Sequence, residues 1–172
     1  RLMDSMDQER ERGITIKAKN GSLQWNGYKL NLIDTPGHAD FGGQVERVLR
    51  MCDGVVLLVD AQEGPMPQTY FVLKKALALR HPVLVLINKV DKPAARPAWV
   101  HEQVFELFMK LQAPEEHHDF PVLYGSAKNG WVGDDPAVPT PDCTALFEKI
   151  VSFFPAPGGD AAGPCQLLVS TL

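Results

Sequence analysis

Two strand-like runs, Ser22–Trp25 and Tyr28–Ile33, flank Asn26-Gly27. An Asn-Gly pair in that setting is a strong hairpin signal, because both central residues of the tight turn need positive φ. The first sheet element is therefore expected to be antiparallel. Beyond it the pattern changes. Gly54–Asp60, Pro82–Asn88 and Phe120–Tyr124 carry nearly continuous apolar runs rich in Val and Leu. Strands covered on both faces read this way. Helical patterns lie between them. Val100, Val104, Leu107, Phe108 and Leu111 fall on one face of a helix, with Pro97 as its expected first residue. Ala39–Met51, Gln68–Leu79 and Asp142–Phe153 are further helix candidates. The order β-β-α-β-α-β-α-β-α predicts an α/β domain with a mostly parallel sheet. Asp134–Pro141 reads as a surface loop and Pro155–Pro164 as a linker, each rich in Pro, Gly and Asp.

Composition agrees with a globular chain. Hydrophobic residues make up 45% and charged residues 22% of 172 residues, enough for one domain with a real core. Lys and Arg total 17 against 21 Asp and Glu, a net charge of −4. That balance argues against a basic nucleic-acid-binding domain by itself, and leaves room for a local basic patch or a basic neighbouring domain. No apolar run approaches the roughly 20 residues a membrane helix needs, and no secretory signal opens the sequence. Cys52, Cys143 and Cys165 are odd in number and far apart, which disfavours a disulfide framework and fits a reducing cytosol. The opening at Arg1 and the strand-like closing run Gln166–Leu172 suggest a piece of a longer protein.

Three polar groups stand at the carboxyl ends of the predicted strands: Asp34, Asn88 and, just past its run, Ser126. In an open α/β sheet these ends line the edge where ligands bind, so all three are expected to face one crevice. Asp34 opens Asp34-Thr35-Pro36-Gly37-His38. A carboxylate there can hold Mg²⁺ through water. Gly37 lets its N–H approach a terminal phosphate without a Cβ in the way, and His38 can orient a water. An ordinary Asp-Pro-Gly turn would look the same. Asn88-Lys89-Val90-Asp91 is more specific. The Asp91 carboxylate can accept from guanine N1–H and its N2 amine, whereas adenine would leave it unmatched. Asn88 can address the N7 side of the base and tie neighbouring loops, and the Lys89 stem can cover the base face. In Ser126-Ala127-Lys128 a small residue lets a backbone N–H reach the guanine O6. Thr15, in Arg12–Ile16, can ligate Mg²⁺ when a γ-phosphate is present, which would give an order–disorder switch. Each of these short patterns also has a plain structural reading as a loop or strand entry.

Taken together, RGITI, DTPGH, NKVD and SAK resemble the translational GTPases, the class of elongation factors G and Tu. More narrowly, DTPGHADFGG (34–43), VDAQEGPMPQT (59–69) and NKVDKPAARPAWV (88–100) are similar to the BipA/TypA group of ribosome-binding GTPases. Phe105–Leu111 and FPVLYGSAKNGW (120–131) add to that likeness. The resemblance implies a Ras-like P-loop NTPase fold of three layers that uses GTP/GDP and Mg²⁺. It implies a G domain over 1–155, with 156–172 as linker and start of a β-barrel. It assigns Thr15 and, through water, Asp34 to Mg²⁺, and the Gly37 amide to the γ-phosphate. His38 would position the attacking water. Asn88, Lys89 and Asp91 would hold guanine, with Ser126, Ala127 and Lys128 completing the base pocket. The implied partner is the ribosome, with ribosomal RNA contacted mainly by other domains, in the cytoplasm, with neither membrane nor DNA involved.

One departure is plain. The family's phosphate cradle is G-x-x-x-x-G-K-[ST], and none of the 14 glycines here is followed by Lys. The first strand and its loop are expected before Arg1, with that strand central, between those ending at Asp34 and Asp60. The chain by itself is therefore expected to leave two sheet edges facing a gap and to lack GTPase activity. Two other readings remain open: a non-catalytic regulatory module, and a GTPase of the ribosomal-protection or elongation-factor type. His117-His118 beside Glu115-Glu116 reads as a solvated loop more than a metal site. Cys52 and Phe153-Phe154 read as core.

Overall fold

The computed structural model describes residues 18–35, 42–158 and 162–164. Strands β1 (Lys19–Trp25) and β2 (Tyr28–Asp34) form the expected hairpin, with Lys19 opposite Asp34. Asn26 and Gly27 sit at φ 45 and 83, the left-handed conformation that the two-residue turn demands. Helix α1 (Gly42–Leu49) follows, then β3 (Val55–Asp60), α2 (Pro67–Ala78), β4 (Val83–Asn88) and α3 (Pro97–Lys110). A 3-10 turn over Glu115–His117 leads to β5 (Val122–Ser126), β6 (Trp131–Gly133) and α4 (Thr144–Phe153).

The main sheet has the order β3-β4-β5-β6. Its first two ladders are parallel and the last is antiparallel. Two separate cores show that the sheet is covered on both faces. On one, Val45, Leu73, Val104 and Phe108 from α1–α3 close on Val85 and Ile87. On the other, Leu84, Leu86 and Leu123 meet Leu146 and Ile150 of α4. Every residue of β4 from Val83 to Ile87 is buried, which explains its unbroken apolar run. Phe108 is fully buried and stacks on Phe120 with ring centroids 4.3 Å apart. Phe108→Ala is expected to destabilise the domain by about 3–5 kcal/mol, read as a lowered urea midpoint.

The two sheets are not joined. Among the described residues β3 bonds to β4 alone and β2 to β1 alone. Leu58 of β3 is 60% exposed and Leu32 of β2 is 42% exposed, so apolar side chains lie open on both of these strands. The two free edges expected from the sequence are therefore present. The hairpin touches the rest through Trp25, whose ring lies 6.0 Å from that of Phe147 in α4.

Several boundaries differ from the sequence expectations. The run Phe120–Tyr124 is shifted: the strand is Val122–Ser126, because Phe120 turns into the core against Phe108 and Pro121 has no N–H to donate. Ser126 is thus the last residue of β5. The last helix begins at Thr144, two residues later than expected, after a turn in which the Asp142 side chain accepts from the Thr144 N–H at 2.8 Å. β6 is an addition, paired back on β5 through a turn at Gly130, φ 75. Gly125 permits that pairing, because a Cβ there would lie 2.7 Å from the Trp131 carbonyl oxygen. In the stretch around His117, Glu115, Glu116 and Asp119 are exposed as expected of a solvated loop, but His117 is not. His117 is buried and donates from Nε2 to the His81 carbonyl at 3.1 Å. Cys52, Phe153 and Phe154 do pack on the cores. Thr15, Gly37, His38, the start of the 39–51 helix and the run 166–172 lie outside the described residues.

Candidate functional site

The parallel register puts Asp60, Asn88 and Gly125 in one row at the carboxyl edge of the sheet. Backbone hydrogen bonds knit the loops that leave this edge. The Ala61 N–H donates to the Asn88 carbonyl at 2.8 Å and the Val90 N–H to the Gly125 carbonyl at 3.2 Å. Of the three strand-end groups expected to share a crevice, Asn88 and Ser126 are brought together. Asp34 ends β2 in the separate hairpin, with no ladder linking it to the row, because the sheet is divided at that point.

Asn88 joins two loops. Its Oδ1 accepts from the Lys89 N–H at 2.8 Å and from the Ala127 N–H at 3.0 Å. The carboxamide oxygen is thereby committed, which fixes the amide orientation and leaves the NH₂ side for a purine N7. Lys89 adopts φ 67, a left-handed conformation rare for a residue with a Cβ. Asp91 is exposed on the turn that follows and has no hydrogen bond or ion pair among the described residues. Ser126 is fully buried and its Oγ accepts from the Asn129 N–H at 3.3 Å. Its carbonyl accepts from Gly130 N–H at 2.8 Å, so Ala127 and Lys128 stand exposed at the tip of a tight turn. The Ser126–Gly130 turn is held against the Asn88 amide, and the exposed Asp91 carboxylate follows three residues on in the same loop, an arrangement that offers acceptors to a purine's donor edge and an NH₂ to its N7.

Sequence reasoning missed Asp60. Its Oδ2 meets the Lys89 Nζ at 2.5 Å, and Oδ1 accepts from the Gln62 and Glu63 N–H groups at 2.8 and 3.4 Å. Burial pushes the carboxyl up, but the Lys89 and backbone hydrogen bonds outweigh it and hold Asp60 below the usual carboxylate range. The signal was available in principle, since Asp60 ends an apolar strand run as Asn88 does. Beside this loop lies a hollow of about 430 Å³ lined by Gln62, Pro93, Ala94, Ala95 and Arg96. None of the residues given a site role from the sequence lines it, although all five lie in the 59–69 and 88–100 stretches. Arg96 donates to the Gln62 carbonyl at 3.0 Å and stacks on Trp99, 3.8 Å from the ring centre.

Helix α1, which follows the Asp34–His38 stretch, is anchored at its far end. Lys75 of α2 pairs with Glu46 at 3.1 Å, and this contact holds the Glu46 carboxyl below its usual range. The His81 ring donates to the Leu49 carbonyl at 2.6 Å. Among the described residues, no group of three or more His, Cys, Asp or Glu side chains is placed to hold a metal ion. No helix among them is long and apolar enough to cross a membrane.

The fold is that of a P-loop GTPase domain, and the chain belongs to the family of the elongation factor Tu GTP binding domain, whose profile matches residues 1–156. It is 56% identical over 172 residues to the large ribosomal subunit assembly factor BipA of Escherichia coli strain K12. It is 52% identical over the same length to the putative elongation factor TypA-like SVR3, chloroplastic, of Arabidopsis thaliana. All of this chain is covered in both matches, and it spans 28% and 26% of those relatives. Among solved structures, the crystal structure of a bacterial selenocysteine-specific elongation factor, EF-Sec, superposes with a TM-score of 0.70. That match covers 88% of this chain and 24% of the other, at 23% identity, and supports the fold.

Proposed function

We propose that the full-length protein carrying this chain is a ribosome-associated translational GTPase. It would hydrolyse GTP to GDP and phosphate and use the change to regulate ribosome function or assembly in the cytoplasm. The likeness to a large ribosomal subunit assembly factor supports the ribosome as partner. The observation that carries the nucleotide part is the fork of Asn88, Ala127 and the unpaired Asp91 carboxylate. In this reading residues 1–155 belong to the G domain, and 156–172 are a linker and the start of a β-barrel. Ribosomal RNA would be contacted mainly by other domains.

The roles follow from chemistry already described. Asn88 and Asp91 read guanine, Lys89 lies along the base, and Ser126, Ala127 and Lys128 close the pocket. Thr15 and, through water, Asp34 would hold Mg²⁺, which supplies charge neutralisation at the phosphates. The Gly37 amide would meet the γ-phosphate. His38 orients the attacking water, and catalysis of this kind rests on positioning and charge stabilisation. The direct test is GTP turnover by the full-length protein with and without ribosomes. Turnover stimulated by ribosomes is expected, and none under either condition would overturn the reading. His38→Ala is expected to slow stimulated hydrolysis by at least about 100-fold while leaving GTP affinity within about 2-fold. An unchanged rate would remove His38 from the mechanism.

A further inference from the structure

We propose that Asp60 is a positioning residue for nucleotide binding: its carboxylate holds the Lys89 ammonium so that the lysine stem is set beside Asn88 before a base arrives. The inference rests on the guanine-nucleotide reading of the Asn88–Asp91 loop given above. Three observations carry it. First, the parallel register makes Asp60 the direct neighbour of Asn88 at the sheet edge, although 28 positions separate them in sequence. Second, the two oxygens of Asp60 are divided between tasks. Oδ1 takes the Gln62 and Glu63 N–H groups, and Oδ2 is left for Lys89. The Asp60 side chain is only 13% exposed, so its turn and its own backbone fix it in place. Third, Lys89 combines a left-handed backbone with a side chain still 49% exposed. Its head is therefore captured while its stem keeps a free face.

A free lysine loses up to about 2 kcal/mol of rotamer entropy when it is ordered. A stem that must order only when the base lands would subtract that cost from affinity. Fixing it in advance lowers the cost of binding, which is preorganisation. The left-handed Lys89 backbone is the kind of local strain that surrounding structure must hold in place. Both the Asn88 Oδ1 bond to the Lys89 N–H and the Asp60 ion pair do so, one at each end of the residue.

The test uses nucleotide affinity of the full-length protein. Asp60→Asn keeps an oxygen for the Gln62 and Glu63 N–H groups and removes the charge that faces Lys89. It is expected to raise the Kd for GDP about 5-fold, the size of a partly exposed ion pair. The nucleotide-free protein should stay folded, its urea midpoint lowered only by the loss of one partly exposed ion pair, so that the fall in GDP affinity is read on an intact site. Lys89→Met, which keeps the stem length and loses the ammonium, should give a similar loss. Combined with Asp60→Asn it should be no worse than Lys89→Met alone, the non-additivity of a shared contact. Asp60→Glu should restore affinity to within about 2-fold, because it returns the carboxylate. Unchanged GDP affinity in Asp60→Asn, or losses that multiply in the double variant, would overturn the positioning role. A wild-type protein with no guanine-nucleotide affinity would overturn the underlying reading instead.

Discussion

Asp91→Asn in the full-length protein is expected to move base preference from guanine toward xanthine, with GTP affinity falling about 100-fold or more. Guanine presents two N–H donors on the edge that faces the carboxylate, and hydrogen bonds to a charged group are worth roughly 1.5–3 kcal/mol each. Two of them account for about 3–6 kcal/mol, which is two to four powers of ten in affinity. A carboxamide keeps one acceptor and gains a donor. That suits xanthine, which has an oxygen where guanine has its amine. The free protein should tolerate the change well. Asp91 is exposed and makes no hydrogen bond or ion pair among the described residues, so its loss should alter stability by less than about 0.5 kcal/mol. Competition between GTP and XTP for the wild type and the variant measures the switch. Retained GTP preference would end the assignment of Asp91 as the base-reading carboxylate. The contrast with Asp60→Asn matters here. That variant should weaken GDP and XDP by the same factor, since the lysine stem touches a face that both bases share.

Much of this site was legible because it hangs on strand ends. The apolar run of β4 stops at Asn88, and the parallel sheet then sets Asn88 beside the end of β5. The hairpin was legible from one dipeptide, Asn26-Gly27, whose turn conformation few other residues adopt. What escaped depends on contacts distant in sequence. Nothing local marks Asp60 as the partner of Lys89; only the β3–β4 register brings them together. His117 resembled a solvated histidine among acids, yet it is buried and bonded to the carbonyl of His81, 36 positions away in sequence. β6 is three residues long, below the length at which an apolar pattern can be read, and its pairing depends on Gly125 leaving room for Trp131. The expectation of one crevice for Asp34, Asn88 and Ser126 assumed a continuous sheet. The described residues form two sheets, with β2 in one and β3 at the edge of the other.

The 172-residue chain alone is expected to bind GTP no more tightly than it binds guanosine, and at least about 1000-fold more weakly than the full-length protein binds GTP. Base recognition and phosphate recognition are separable in this fold. The Asn88, Asp91 and Ala127 fork lies at the carboxyl ends of β4 and β5, both present and paired. Phosphate recognition needs a loop of convergent backbone N–H groups and a lysine that reaches the β- and γ-phosphates. No glycine of the 14 in this chain is followed by Lys, so the chain contains no such loop. Losing even two or three charge-assisted hydrogen bonds to phosphate, at roughly 1.5–3 kcal/mol each, removes about 3–9 kcal/mol of binding free energy. What remains effective should be the base fork, which does not register phosphate number, because the proposed Gly37 amide and the Mg²⁺ groups Thr15 and Asp34 act on phosphates that a cradle already holds. Calorimetric titration of the refolded chain with guanosine, GMP, GDP and GTP reads this directly, with circular dichroism confirming that the helices have formed. The open edges of β2 and β3, with Leu32 and Leu58 exposed, also predict self-association that grows with chain concentration. Dilute samples are therefore the ones to compare. Affinity that climbs steeply from guanosine to GTP, or clear phosphate release by the chain, would show that residues within these 172 cradle the phosphates, and the division between base fork and phosphate loop would have to be abandoned.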